Sequence, residues 1–162
     1  MNNLLNYIKE NYKYENGNFY RIKLSGNKKT GSLVGWQTIC GKKPYRKISI
    51  NYKTYYQHQL IFLYHHGYIP KYIDHIDRNS LNNNIENLRE STQSQNCANK
   101  LKNKNNTSGY KGVTYNKKEK KWQAQIMVNY KHKNLGFFDK PEDGAKAYAL
   151  ASKQYFKEFA CY

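Results

Sequence analysis

Over the first 55 residues, apolar positions come in short runs broken by turn residues, a pattern that predicts strands. Asn16-Gly17, between YKYE and NFYRIKL, is a hairpin signal. Gly26 to Gly31 marks a second turn, ahead of SLVGWQTI. PYRKISI alternates, with Tyr45, Lys47 and Ser49 on one face and Arg46, Ile48 and Ile50 on the other, and Asn51-Tyr52-Lys53 reads as a turn. The period then lengthens. From Tyr56 to Tyr64, Leu60, Ile61 and Tyr64 share one side of a helix that Gly67 stops.

YIDHI and NLRES predict two short strands around an Asn-rich loop. Ser91 or Thr92 caps a following helix that carries Asn96 and ends near Lys100. ANKLKNKNNTSG lacks core formers and reads as a basic linker over 101–107. Beyond it, GYKGVTYN, KWQAQIMVNY and NLGFF are three strand candidates. Asp139 to Glu142 is a D-x-x-E capping signature with Pro141 in the first turn of a helix. On that helix Ala145, Tyr148, Ala149, Ser152, Tyr155 and Phe156 form the apolar face. In the middle strand Trp122, Ala124, Ile126 and Val128 face the helix, while Gln123, Gln125, Met127 and Asn129 leave the other face polar. The fold class is α+β: basic N-terminal antiparallel strands and a hairpin-helix over 1–100, then a three-stranded antiparallel sheet backed by one helix over 108–162.

Composition adds the partner. Lys plus Arg number 28 against 11 Asp plus Glu, a net charge of +17. An AT-rich coding bias accounts for the Lys and Asn excess but not for the scarcity of acids, and a polyanion is the usual reason to tolerate such self-repulsion. Residues 1–71 carry net +10 and residues 97–134 net +9, and between them residues 72–96 carry net −2. Basic flanks suit phosphates, and an acidic centre suits a cation. No run is long and apolar enough for a membrane span or a signal peptide. Cys40, Cys97 and Cys161 fit neither a disulfide framework nor zinc spacing, so a cytoplasmic setting is expected.

The chemistry concentrates in Asp74-His75, Asn87 and Asn96. Asp74 and Asn96 can give a divalent ion two hard oxygens, with its other positions left to water and phosphate. His75 can take a proton from water near neutrality, and Asn87 can pin the turn between the strands. YQHQL followed by YIDHIDRNSLNNNIENLRESTQSQN resembles the HNH nucleases of homing-endonuclease type. The resemblance implies a ββα-metal core around a single ion. Asp74 and Asn96 would be its ligands, His75 the general base and Asn87 the residue that restrains the base. Asn96 stands where many members have His, which favours Mg²⁺ or Mn²⁺ over Zn²⁺. His58 matches a histidine often found ahead of that core and reads as structural. Asp77 and Asn79 brace the loop. Adjacent strand residues face opposite ways, so Asp74 and His75 share a site only where the strand kinks or ends.

Residues 108–156 resemble the plant ethylene-response-factor (APETALA-type) DNA-binding domain through Y-K-G-V, K-W-Q-A-Q-I, L-G-F-F-D and E-D-G-A-K-A-Y. The resemblance implies a sheet lying in the major groove. Contacts transfer to Lys111, Thr114, Asn116, Gln123, Gln125, Met127, His132 and Asn134, with phosphate contacts from Lys117, Lys118, Lys120, Lys121, Lys131 and Lys133. Arg46 and Lys47 are the candidates in the N-terminal strands. The bidentate Arg code for guanine is absent, so an AT-leaning site is expected. Together these features predict a monomeric, metal-dependent endonuclease that recognises a site in double-stranded DNA and nicks one strand. The rival is a DNA-binding regulator without catalysis.

Overall fold

The computed structural model describes residues 2–24 and 26–162. The chain packs as two units, one reaching to Glu90 and the other running Ser91–Tyr162.

The first unit begins with a helix, not a strand: α1, Asn2–Asn11. Leu4 and Leu5 each lie about one helical turn before Ile8, and Ile8 is fully buried. That burial outweighs the weak strand tendency of a short Asn-rich segment. β1 (Tyr12–Glu15) and β2 (Asn18–Arg21) form the expected hairpin. Asn16 and Gly17 both take positive φ, the backbone of a tight turn that matches strand twist. β3 (Trp36–Cys40), β4 (Lys43–Ile50) and β5 (Lys53–Tyr56) make an antiparallel sheet in that order. β5 is an addition to the sequence reading. Asn51 and Tyr52 turn with positive φ, and KTYY pairs back on β4 before the helix starts.

α2 (Gln57–His66) follows directly and ends at Gly67, whose left-handed backbone lets its N–H reach Leu63 O. Leu60, Ile61, Phe62 and Leu63 are all buried, so α2 is covered on more sides than its one-face pattern suggested. It packs beside α1 and under β4, with Phe19, Val34, Ile48, Ile50 and Leu88 completing the core. β6 (Ile73–His75) and β7 (Leu88–Glu90) then pair antiparallel across the loop 76–87.

The second unit opens with α3 (Gln93–Ala98), capped by Thr92. The Thr92 hydroxyl accepts from Gln95 N–H, while Gln95 Oε1 accepts from Thr92 N–H. β8 (Val113–Asn116), β9 (Lys121–Val128) and β10 (Lys131–Phe138) form a sheet with β9 central. α4 (Pro141–Phe156) lies across it. Ile126 packs with Tyr148, Ala151 and Phe156 in the core, and Ala124 is fully buried. The buried helix face includes Gly144 and Ala151, while Tyr155 is exposed, so the face is turned slightly from the one predicted. Asp139 does not cap α4. The residue before Pro141 is Lys140, and Asp139 instead pairs with Lys121 at 3.3 Å.

Candidate functional site

The β6–β7 hairpin positions the central residues of the first unit. Its register sets Asp74 opposite Arg89 and His75 opposite Leu88. Asp74 is buried, and its Oδ2 accepts from Arg89 Nε at 3.0 Å and from a terminal guanidinium nitrogen at 2.8 Å. Both Arg89 bonds converge on one carboxylate oxygen.

His75 points to the other face. The strand ends there: Arg78 N–H returns to His75 O with Arg78 at φ +67°, closing a turn. The imidazole is buried, with Nε2 at 3.0 Å from Asn83 Oδ1. Burial pulls the His75 pKa below the usual histidine value, even though Asn83, Asp77 and Asp74 push it up. The ring is therefore neutral at pH 7 and able to accept a proton. His58, on α2, meets His75 edge-on at 5.2 Å and stacks on Tyr56 at 5.4 Å. Burial first, and His75 second, push His58 down to about 3. It is a neutral packing ring.

Asn87 ties the loop to the hairpin base. Its Nδ2 donates to Asp77 Oδ1 (2.9 Å) and Asn82 O (2.7 Å), and its Oδ1 accepts from Asp77 N–H (3.0 Å). Asp77 also accepts from Asn82 and from the Asn79 N–H. Burial raises the Asp77 pKa, but these amide donors outweigh it and hold the carboxyl below its usual range. Ser80 Oγ anchors the loop to Pro44 O at 2.6 Å.

The β1–β2 hairpin supports the same loop. Tyr14 Oη accepts from Ile85 N–H at 3.0 Å, and Gln57 Nε2 donates to Gly17 O at 2.7 Å. A Cβ on Gly17 would stand 2.7 Å from Asn84 N, so only glycine fits this approach.

Asn96 lies half-buried on α3, in the second unit. Among the described residues no three His, Cys, Asp or Glu side chains gather as a metal cage. One carboxylate and one amide are hard oxygen donors. They suit a divalent ion that keeps most of its water, and they do not suit a closed thiolate or imidazole centre.

On the C-terminal sheet, Thr114 stands opposite Gln123, Asn134 opposite Gln125 and His132 opposite Met127. Asn116, Gln123 and Asn134 run as an amide row, with two links of 3.4 Å. Met127 is half exposed, and Lys117 and Lys118 are exposed in the β8–β9 turn. Lys131 and Lys133 stand opposite Val128 and Ile126, on the helix-side face away from the amide row, and Lys133 Nζ donates to Tyr155 Oη at 3.1 Å. Lys111 is turned inward: its ammonium donates to the carbonyls of Ala98 (2.6 Å), Lys100 (2.5 Å) and Cys161 (2.8 Å). In the N-terminal sheet Arg46 is half-buried, and Lys47 Nζ sits 4.9 Å from the Tyr56 ring centre.

The HNH endonuclease family profile matches residues 55–98, from β5 through α2 and the β6–β7 hairpin to the end of α3. Protein 3.8 of Escherichia phage T7 is 36% identical over 96 residues, which cover 58% of this chain and 77% of that protein. The chain belongs to the HNH endonuclease family. A second relative, the uncharacterized HNH endonuclease L560 of Acanthamoeba polyphaga mimivirus, is also 36% identical over 96 residues. The match covers 58% of this chain but only 49% of L560. No solved structure matches the chain. Within this HNH endonuclease no described helix is long and apolar enough to cross a membrane.

Two residues of the site escaped the sequence reading. Arg89 was legible in principle, because pairing YIDHI with NLRES sets it opposite Asp74. Asn83 carries no such mark, as one of three consecutive asparagines in a loop.

Proposed function

We infer that the protein is a metal-dependent endonuclease of homing type that recognises a site in double-stranded DNA and nicks one strand as a monomer. The observation that carries this reading is the buried, neutral His75 at the end of β6, held through Nε2 by Asn83.

Asp74 and Asn96 would hold one Mg²⁺ or Mn²⁺. Such an ion, when bound, supplies positive charge to the scissile phosphate and the departing 3′-oxygen. His75 takes a proton from the attacking water, whose oxygen forms the new bond to phosphorus as the bond to the 3′-oxygen breaks. The departing 3′-oxygen takes a proton from solvent, so the products are a 5′-phosphate and a 3′-hydroxyl. Asn87 keeps the loop that bears Asn83 closed on the hairpin, so the imidazole stays aimed. In this reading the C-terminal sheet lies in the major groove as in the ethylene-response-factor domain. Thr114, Asn116, Gln123, Gln125 and Met127 read bases there, and Lys117 and Lys118 grip phosphates. Its three antiparallel strands, single backing helix and amide row support that assignment.

Supercoiled plasmid with Mg²⁺ tests the proposal. Wild type is expected to convert it to open circles, and His75→Ala to lose roughly 10²–10⁴-fold in rate. If both proteins give equal background nicking while a gel shift persists, the protein is a DNA-binding regulator instead.

A further inference from the structure

A second feature lies in the N-terminal unit, away from the hairpin. Arg21, at the end of β2, exchanges main-chain hydrogen bonds with the 31–32 segment: Arg21 N–H donates to Ser32 O and Gly31 N–H to Arg21 O. Arg21, whose guanidinium carbon lies 5.8 Å from the Tyr12 ring centre, and Ser32 both line one cleft of about 620 Å³. Val34 and Ile48 line it too, as do the exposed Lys28 and Lys29 and the half-exposed Trp36.

Two side-chain atoms of these lining residues are buried without a hydrogen-bond partner: Arg21 Nε and Ser32 Oγ. Orphaned donors of this kind are rare in folded proteins and need an explanation. Both are donors, and both stand among cations. Among the described residues no carboxylate forms an ion pair with Arg21, Lys28 or Lys29. An anion with several acceptor oxygens would satisfy both donors and the neighbouring positive charge at once. A phosphate group offers that geometry, and guanidinium and hydroxyl donors are its usual partners.

We propose that the cleft formed by Arg21, Ser32, Lys28 and Lys29 binds a phosphate group, with Arg21 Nε and Ser32 Oγ donating to its oxygens and the two lysines neutralising its charge. Such a group comes either from a DNA backbone, which rests on the duplex-binding reading above, or from a free phosphate. No residue of the cleft belongs to the hairpin site.

Two measurements on the full chain, both without divalent metal, decide it. In the first, the Arg21 Nε–H signal is followed by ¹⁵N NMR while inorganic phosphate is added at constant ionic strength, with chloride as control. A saturable shift with phosphate alone is expected. In the second, affinity for a 30-base-pair duplex is measured against salt for wild type and for the exposed Lys28→Gln/Lys29→Gln variant. The slope of log affinity against log salt is expected to fall by about 2, near 0.9 per lost phosphate contact.

A smaller slope assigns the phosphate to the DNA backbone, whether or not free phosphate shifts the arginine signal. A phosphate shift with an unchanged slope assigns the cleft to a free phosphate. An unchanged slope with no phosphate shift overturns the proposal. Wild type that fails to bind the duplex at all refutes the duplex-binding reading instead, and the phosphate titration alone then decides the cleft.

Discussion

Asn83 Oδ1 lies 3.0 Å from His75 Nε2, and both side chains are buried. An amide oxygen in this position accepts only from a protonated Nε2, so it selects one imidazole tautomer. Asn83→Ala removes this acceptor from a buried ring nitrogen, at a cost of about 1–3 kcal/mol. Urea unfolding is expected to show that loss. Nicking kinetics are expected to show a lower kcat with KM little changed, since the substrate grip lies elsewhere. Intact kcat would show that the bond serves only packing.

Stability is expected to decline in acid because of His58. Its pKa is pushed down to about 3 in the folded state, against about 6.5 in an unfolded chain. Between those values the unfolded state binds the extra proton. The stabilising effect is therefore complete above about pH 6.5 and is lost as pH falls towards 3. His75, lowered in the same sense, adds to the trend. The urea midpoint of wild type should drop from pH 7 to pH 4.5, and His58→Phe should flatten part of that drop.

Arg89 already holds Asp74, so a divalent ion bound as proposed would compete with it. Arg89→Gln breaks a buried pair, which costs about 3–5 kcal/mol where both charges are fully enclosed. The lower end applies here, because the Arg89 side chain keeps 16% of its exposure. In a thermal melt the variant should start lower than wild type yet gain more from added Mg²⁺. An equal Mg²⁺ response in both proteins would mean that Asp74 does not ligate the ion.

Gly17 couples the first hairpin to the loop 76–87. Its φ is +74°, and a Cβ would meet Asn84 N at 2.7 Å and Asn83 C at 2.9 Å. Gly17→Ala is expected to cost about 2–4 kcal/mol, from left-handed strain plus the clash. It should also reduce nicking, because the loop that bears Asn83 must shift. Gly31→Ala is the control: φ is similar at +78°, but nothing lies within 4 Å. Only the strain of about 1–2 kcal/mol remains there.

Lys111 separates a structural lysine from a DNA contact. With its ammonium bonded to three carbonyls, Lys111→Gln is expected to destabilise the second unit by about 2 kcal/mol. The salt slope of duplex binding should stay unchanged. A slope that falls by about 1 would restore Lys111 to the phosphate contacts.

Signals confined to a few neighbouring residues were readable from the chain alone. Asn16-Gly17 made its hairpin, Gly67 ended α2, Thr92 with Gln95 capped α3, and the alternation in β9 set Ala124 and Ile126 inward. Each depends on local backbone energetics or on a period of two, so no distant partner is needed. Tertiary packing decided the rest. Burial of Ile8 made α1 a helix, and the pairing of β5 with β4 lengthened the N-terminal sheet. The Asp139 capping signature failed: α4 starts one residue later, with Lys140 at the cap, and the exposed Asp139 pairs with Lys121. Asn83 meets His75 only because the loop 76–87 is folded back by Asn87, Ser80 and the β1–β2 turn. Lys111 turned inward because three carbonyls from separate segments converge on it. Spacing along a chain records which groups can repeat on one face. It carries no record of which distant segment will arrive opposite them, and hydrogen-bond partners and buried charges depend on that arrival.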